Sequence, residues 1–125
     1  SVVLHTAAVA KAILAYLDDS ERSLLLKRVT FEKFTANTIT APAAFTKELE
    51  AIRDRGWSED DAEFEDYINC IGAPVFGFGD RVVGSISLTT LRALVPMEQL
   101  RAFVPALKEC ARAISQANGA SGAAP

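Results

Sequence analysis

The sequence predicts an α+β domain in which helices flank an antiparallel sheet. Three observations point there. Apolar residues recur at helical spacing near both ends of the chain. Between about residues 57 and 89 the pattern changes to that of strands. The two clearest strands are joined by Gly77-Phe78-Gly79-Asp80, a sequence with turn chemistry. The order helices, strands, helix is that of a mixed rather than an alternating fold.

Four helices are expected. The first covers about His5 to Leu17, with Val9, Ile13 and Tyr16/Leu17 on one face. A short second one covers Ser20 to Lys27, capped by Ser20, with Glu21 at the positive end of the dipole. The third covers Pro42 to Arg55. Pro42 suits a first turn, where its missing N–H costs little, and Gly56 ends the helix. Phe45, Leu49 and Ile52 form its buried stripe. The fourth covers Pro96 to Ala117. Leu100, Phe103, Val104, Leu107, Cys110, Ala111 and Ile114 mark its inner face, which makes Cys110 a core residue. Residues 118–125, NGASGAAP, read as a flexible tail after a domain of residues 1–117.

Trp57 to Phe64 is a weak strand; Asn69 to Phe76 and Arg81 to Thr89 are clear ones. A four-residue loop at 77–80 sets Phe76 opposite Arg81, Cys70 opposite Ser87 and Gly72 opposite Ser85. Side chains alternate across a strand. One face then carries Ile71, Ala73, Val75, Val82, Ile86 and Leu88, which pack on helices. The other carries Cys70, Gly72, Ser85, Ser87 and Thr89. A water-facing surface would usually be studded with long charged side chains. These residues are small and hydroxylated, and two readings stay open: the face simply meets water, or beneath a roof of helices it leaves room for a small polar ligand. Three strands are few for four helices, so further strands are expected upstream of Ser1 or from another chain.

Composition bounds the rest. The chain has 125 residues and a mass of 13.4 kDa, the size of one domain, and half its residues are hydrophobic. That mix excludes a disordered tail or a disulfide mini-protein. The net charge of −3 makes it a poor sole reader of nucleic acid. No apolar run reaches the roughly 18–20 residues of a membrane span. Two cysteines, Cys70 and Cys110, do not make a disulfide framework, and a reduced cytoplasmic setting is the simpler reading.

Glu59, Asp60, Asp61, Glu63, Glu65 and Asp66 precede the hairpin. They lack EF-hand spacing, and most read as a solvated loop, with one available at the rim of the pocket. Cys70 as a nucleophile would need an oriented base, and His5, the one histidine, has no such relation to it. Trp57 reads as an inter-element packing residue.

Three blocks of sequence carry a resemblance. Leu4 to Leu17, LHTAAVAKAILAYL, is similar to the "LHxTAxGKAxLA" signature of the effector-binding domain of IclR-type bacterial transcription regulators. Thr35 to Glu65 resembles that family's "TxxTITdpxxLxxELxxIRxxGyaxDdEE". Cys70 to Thr89, CIGAPVFGFGDRVVGSISLT, resembles "CxAaPVxdxdGxvvgAiSvs". The likeness covers nearly all of residues 4–117.

The resemblance implies a GAF/PAS-like ligand sensor rather than an enzyme, apparently without its first strands. It implies no metal or cofactor. Its partners would be a small effector of the carboxylic acid class, further copies in a dimer or tetramer, and DNA only through a winged helix-turn-helix that this chain lacks. Carried over by position, the ligand contacts are Ala8, Val9, Asp60, Cys70, Ser87 and Thr89. Amides at the start of the first helix would hold a carboxylate. Ser87 and Thr89 would donate to ligand oxygens. Asp60 would meet a ligand hydroxyl. The chain departs from the pattern at Ala10, Tyr67 and Asn69. Tyr67 would narrow the pocket mouth or stack on an aromatic ligand. The competing reading is a dimerisation module of the same fold without a ligand.

Overall fold

A computed structural model describes residues 3–122. Helices α1 (Ala8–Leu14), α2 (Asp19–Leu26) and α3 (Pro42–Arg55) come first. Strands β1 (Ser58–Asp61), β2 (Ile68–Phe76) and β3 (Val82–Leu91) follow, then α4 (Met97–Leu100) and α5 (Val104–Ala117). The sheet is antiparallel in the order β1-β2-β3, so β1 and β3 are its edges.

Two apolar clusters hold the layers together. On one face of the sheet Ile71, Ala73 and Val75 pack with Met97, Leu100, Val104, Leu107 and Ala111 of α4 and α5. The second cluster joins Leu14 and Ala15 to Phe45, Leu49 and Ile52 of α3. Burial of each such large side chain contributes about 1.5–3 kcal/mol. Helix α3 has the expected bounds, with Pro42 in the first turn and Gly56 in the left-handed conformation at φ 87°.

Elsewhere the chain departs from expectation for identifiable reasons. Helix α1 is shorter than His5–Leu17, and its buried side is Ala8, Lys11, Ala12 and Leu14, while Val9 is exposed. Helix α2 is capped by Asp18, not Ser20: Asp18 Oδ1 accepts from the Glu21 amide at 2.9 Å. The expected fourth helix is broken by a turn of 3₁₀ helix at Arg101–Phe103. Pro105 has no N–H to give the Arg101 carbonyl, so a continuous helix cannot form there. The buried stripe of α5 is Val104, Leu107, Ala111 and Ser115. Cys110 is exposed rather than core, and Phe103 and Ile114 are 52% and 39% exposed.

The hairpin register also differs. Cys70 lies opposite Thr89 and Gly72 opposite Ser87, two residues from the expected pairing. The connection spans 77–81, closed by the Gly77 amide on the Arg81 carbonyl at 2.9 Å, and an irregularity at Val75/Phe76 adds one residue on β3. A shift of two preserves the faces beyond the irregularity. Val82, before it, changes face: it pairs with Phe76 instead of joining Ile86 and Leu88. After α5 the chain turns back on the hairpin, and the Ser121 amide bonds Asp80 Oδ1 at 2.8 Å. Residues 123–125 of the expected tail lie outside the described residues.

Candidate functional site

The face of the sheet opposite α4 and α5 is built from small residues, and α1 lies across it. Ser58 Oγ donates to the Ala8 carbonyl at 2.6 Å, and Ser85 Oγ donates to the Val9 carbonyl at 3.0 Å. Gly72 lies beneath this crossing. A Cβ there would come within 2.7 Å of Ser58 Oγ and 3.0 Å of the Ala8 carbonyl oxygen. The helix thus rests on backbone and hydroxyls, a close approach that only small side chains permit.

Next to this crossing, Asp60, Cys70 and Thr89 are direct cross-strand partners and form one row. Ser58, Gly72 and Ser87 form the adjacent row. Asp60 and Cys70 are each 8% exposed, whereas Ser87 and Thr89 on the sheet edge are open to solvent. Thr89 Oγ1 donates to Cys70 Sγ at 3.3 Å. Asp60 Oδ1 accepts from the Glu63 amide at 2.7 Å. Burial pushes the Asp60 carboxyl above its ordinary range. That amide and the charge of Lys11 oppose the shift, and Asp61 and Glu65 add to it. Tyr67 and Phe64 are exposed, and Phe64 packs on Phe34 with ring centroids 4.7 Å apart.

All six sequence-predicted residues therefore lie on α1 or on this face of the sheet. The row arrangement puts Asp60, Cys70 and Thr89 side by side, with Ser87 one row away. The one histidine is engaged elsewhere. Nε2 of His5 bonds the Glu32 carbonyl at 2.8 Å, and its ring packs among Phe31 and Phe34. Among the described residues no group of His, Cys, Asp and Glu is arranged to hold a metal. No helix there is long and apolar enough to cross a membrane.

A family model described as the bacterial transcriptional regulator IclR C-terminal domain matches residues 1–116. This chain belongs to the IclR family. It is the C-terminal, effector-binding domain of such a regulator. The HTH-type transcriptional regulator KdgR of Escherichia coli (strain K12) is 37% identical over 118 residues, 93% of this chain and 44% of that protein. The chain spans under half the length of that curated relative. Among solved structures, the Thermotoga maritima IclR superposes with a TM-score of 0.86 at 35% identity, covering 94% of this chain and 47% of that one. The C-terminal domain of E. coli KdgR gives 0.85 at 32% identity, covering 94% and 71%. These relatives are regulators of transcription, not enzymes.

Sequence reasoning missed two residues beside the predicted site of this IclR-family domain. Lys11 is fully buried, and its Nζ donates to Glu63 Oε1 at 2.6 Å. Glu63 Oε2 accepts from the Asp61 amide at 3.0 Å. Burial raises the Glu63 carboxyl above its ordinary range, and the Lys11 charge works against the rise. A lysine that fits no polar face of α1 was the available signal. Glu59, from the same acidic run, instead leaves the site and accepts from Nε and Nη2 of Arg101 at 3.0 and 2.9 Å.

Proposed function

We propose that this domain senses a small carboxylic acid and through it controls DNA binding by the whole regulator. The observation that carries the reading is the lateral row Asp60–Cys70–Thr89, lying beside the start of α1. The row offers a carboxyl, a thiol and a hydroxyl within one ligand's length. Ser87 adds a second hydroxyl. Ala8 and Val9 begin a helix with no side-chain cap, so their amides have no partner within the helix and can serve a ligand carboxylate. Asp60, as an acceptor, takes a ligand hydroxyl or hydrated carbonyl and disfavours a second carboxylate at the same spot.

The ligand acts by population shift. A metabolite that binds one arrangement of the oligomer better biases it, and with it the spacing of DNA-reading heads carried by another part of the regulator. Self-association is supported by the apolar residues that β3 and the turn after it expose, including Val83, Leu91 and Leu94. A regulator that reads DNA works in the bacterial cytoplasm.

The test is a titration of the domain with glyoxylate, pyruvate and a set of aromatic acids. Melting temperature and Trp57 fluorescence report binding. At least one acid stabilises the wild type, and Asp60→Ala and Ser87→Ala lose that stabilisation. A wild type unmoved by every acid, but dimerising with concentration, would replace the sensor with the plain dimerisation module.

A further inference from the structure

We propose that Lys11 is a positioning residue for the effector site: its buried pair with Glu63 fixes the turn after β1 and so sets the Asp60 carboxyl in the row with Cys70 and Thr89. The inference rests on the reading of that row as the ligand site.

The turn is a closed circuit of polar contacts. Lys11 reaches from α1 to Glu63 Oε1. The other oxygen of Glu63 takes the Asp61 amide, and the Glu63 amide in turn holds Asp60 Oδ1. Between them Ala62 sits buried at φ 52°, in the left-handed region that non-glycine residues avoid. Such a conformation persists only where its surroundings over-determine it, and such places cluster at functional sites. The surroundings here are the Lys11–Glu63 pair on one side and the segment at 35–38 on the other. Thr35 Oγ1 donates to the Ala62 carbonyl, Asn37 Nδ2 to the Asp61 carbonyl and Thr38 Oγ1 to the Glu63 carbonyl, at 2.6, 2.8 and 2.6 Å.

Stability alone does not account for the pair. Lys11 and Glu63 are nearly solvent-free, with side chains 1% and 8% exposed. Taking both charges out of water offsets most of their attraction, and apolar residues of similar size often do as well or better. What apolar residues cannot do is accept the Asp61 amide and hold the Glu63 amide against Asp60. The same ammonium lies near enough to Asp60 to favour its ionised form.

The experiment compares the full chain with the double substitution K11M/E63L by NMR and thermal melting, without ligand. In the wild type the Glu63 amide is protected from exchange and resonates far downfield through its bond to a carboxylate. In the double variant the melting temperature stays within about 4 °C. The residue-63 amide exchanges at least about tenfold faster and moves upfield, while amides of α3 keep their protection. A double variant with normal melting and an unchanged residue-63 amide overturns the inference. So does one that fails to fold, because the pair would then support the whole domain rather than the turn. Since no ligand is used, failure of the wild type to bind any acid would refute the function reading alone.

Discussion

Thr89 Oγ1 donates its proton to Cys70 Sγ, 3.3 Å away across the β2–β3 pair. A thiol sulfur is a weak acceptor, so this bond is cheap to exchange for one to a ligand oxygen. Thr89 is exposed on an edge strand, and its methyl is retained in valine. Thr89→Val therefore leaves the melting temperature nearly unchanged but weakens acid binding by about 1 kcal/mol, about fivefold in affinity. Calorimetry with the best acid of the panel checks it. Equal affinity in the two proteins would remove Thr89 from the site.

Asp60 carries a pH signature whose sign can be worked out. Its folded-state pKa is raised, chiefly by burial, above the ordinary aspartate value of 3.8. Ionising Asp60 therefore costs more in the fold than in the unfolded chain. The resulting penalty is complete above the folded pKa and vanishes as pH falls through it toward 3.8. Asp60→Asn keeps a carbonyl for the Glu63 amide and removes the charge. It melts higher than wild type at pH 7, and the advantage shrinks steadily on acidification into the ordinary carboxylate range. Melting curves at a series of pH values test this. An advantage independent of pH would assign the gain to packing instead.

Gly72 is the point where α1 meets the sheet. Gly72→Ala places a methyl 2.7 Å from Ser58 Oγ, a separation real Cβ atoms do not adopt, and 3.0 Å from the Ala8 carbonyl oxygen, tighter than most such contacts. Helix and sheet must part, which costs about 1–3 kcal/mol, as overpacking generally does. Acid binding falls with it, because the start of α1 moves relative to the row. Denaturant unfolding gives the first number and titration the second. Unaltered stability would mean that α1 is free to ride up without cost.

What the sequence disclosed and what it hid divide along physical lines. Local rules sufficed for α3, where Pro42, the Phe45/Leu49/Ile52 stripe and Gly56 state the start, the face and the end. They also placed Cys70, Ser87 and Thr89 on one face, because an error of two in register leaves the alternation intact. The irregularity that moved Val82 depends on how the two strands twist together, which no single residue announces. Lys11 was hidden for another reason. A lysine on a helix is normally a solvated residue, and only the distant Glu63, 52 positions along the chain, makes its burial tolerable. Cys110 was misplaced because Leu107 and Ala111 beside it are both buried, and a stripe drawn through all three is wider than the face α5 presents.

The two thiols should accordingly behave as different species. Cys110 is exposed on α5, one residue of rotation from the buried Ala111. Cys70 is 8% exposed and has Thr89 bonded to its sulfur. A thiol reaction needs access to the sulfur, and access separates these two. With an excess of a disulfide reagent one thiol per chain reacts rapidly, and the second at least about a hundredfold more slowly, through local opening of the sheet face. Cys110→Ser abolishes the fast phase and leaves the slow one. Any acid that occupies the row slows the second phase further, because bound molecules must leave before Cys70 can be reached. Two thiols of equal rate would contradict the buried placement of Cys70. A slow phase indifferent to an acid that stabilises the domain would move that ligand away from the row.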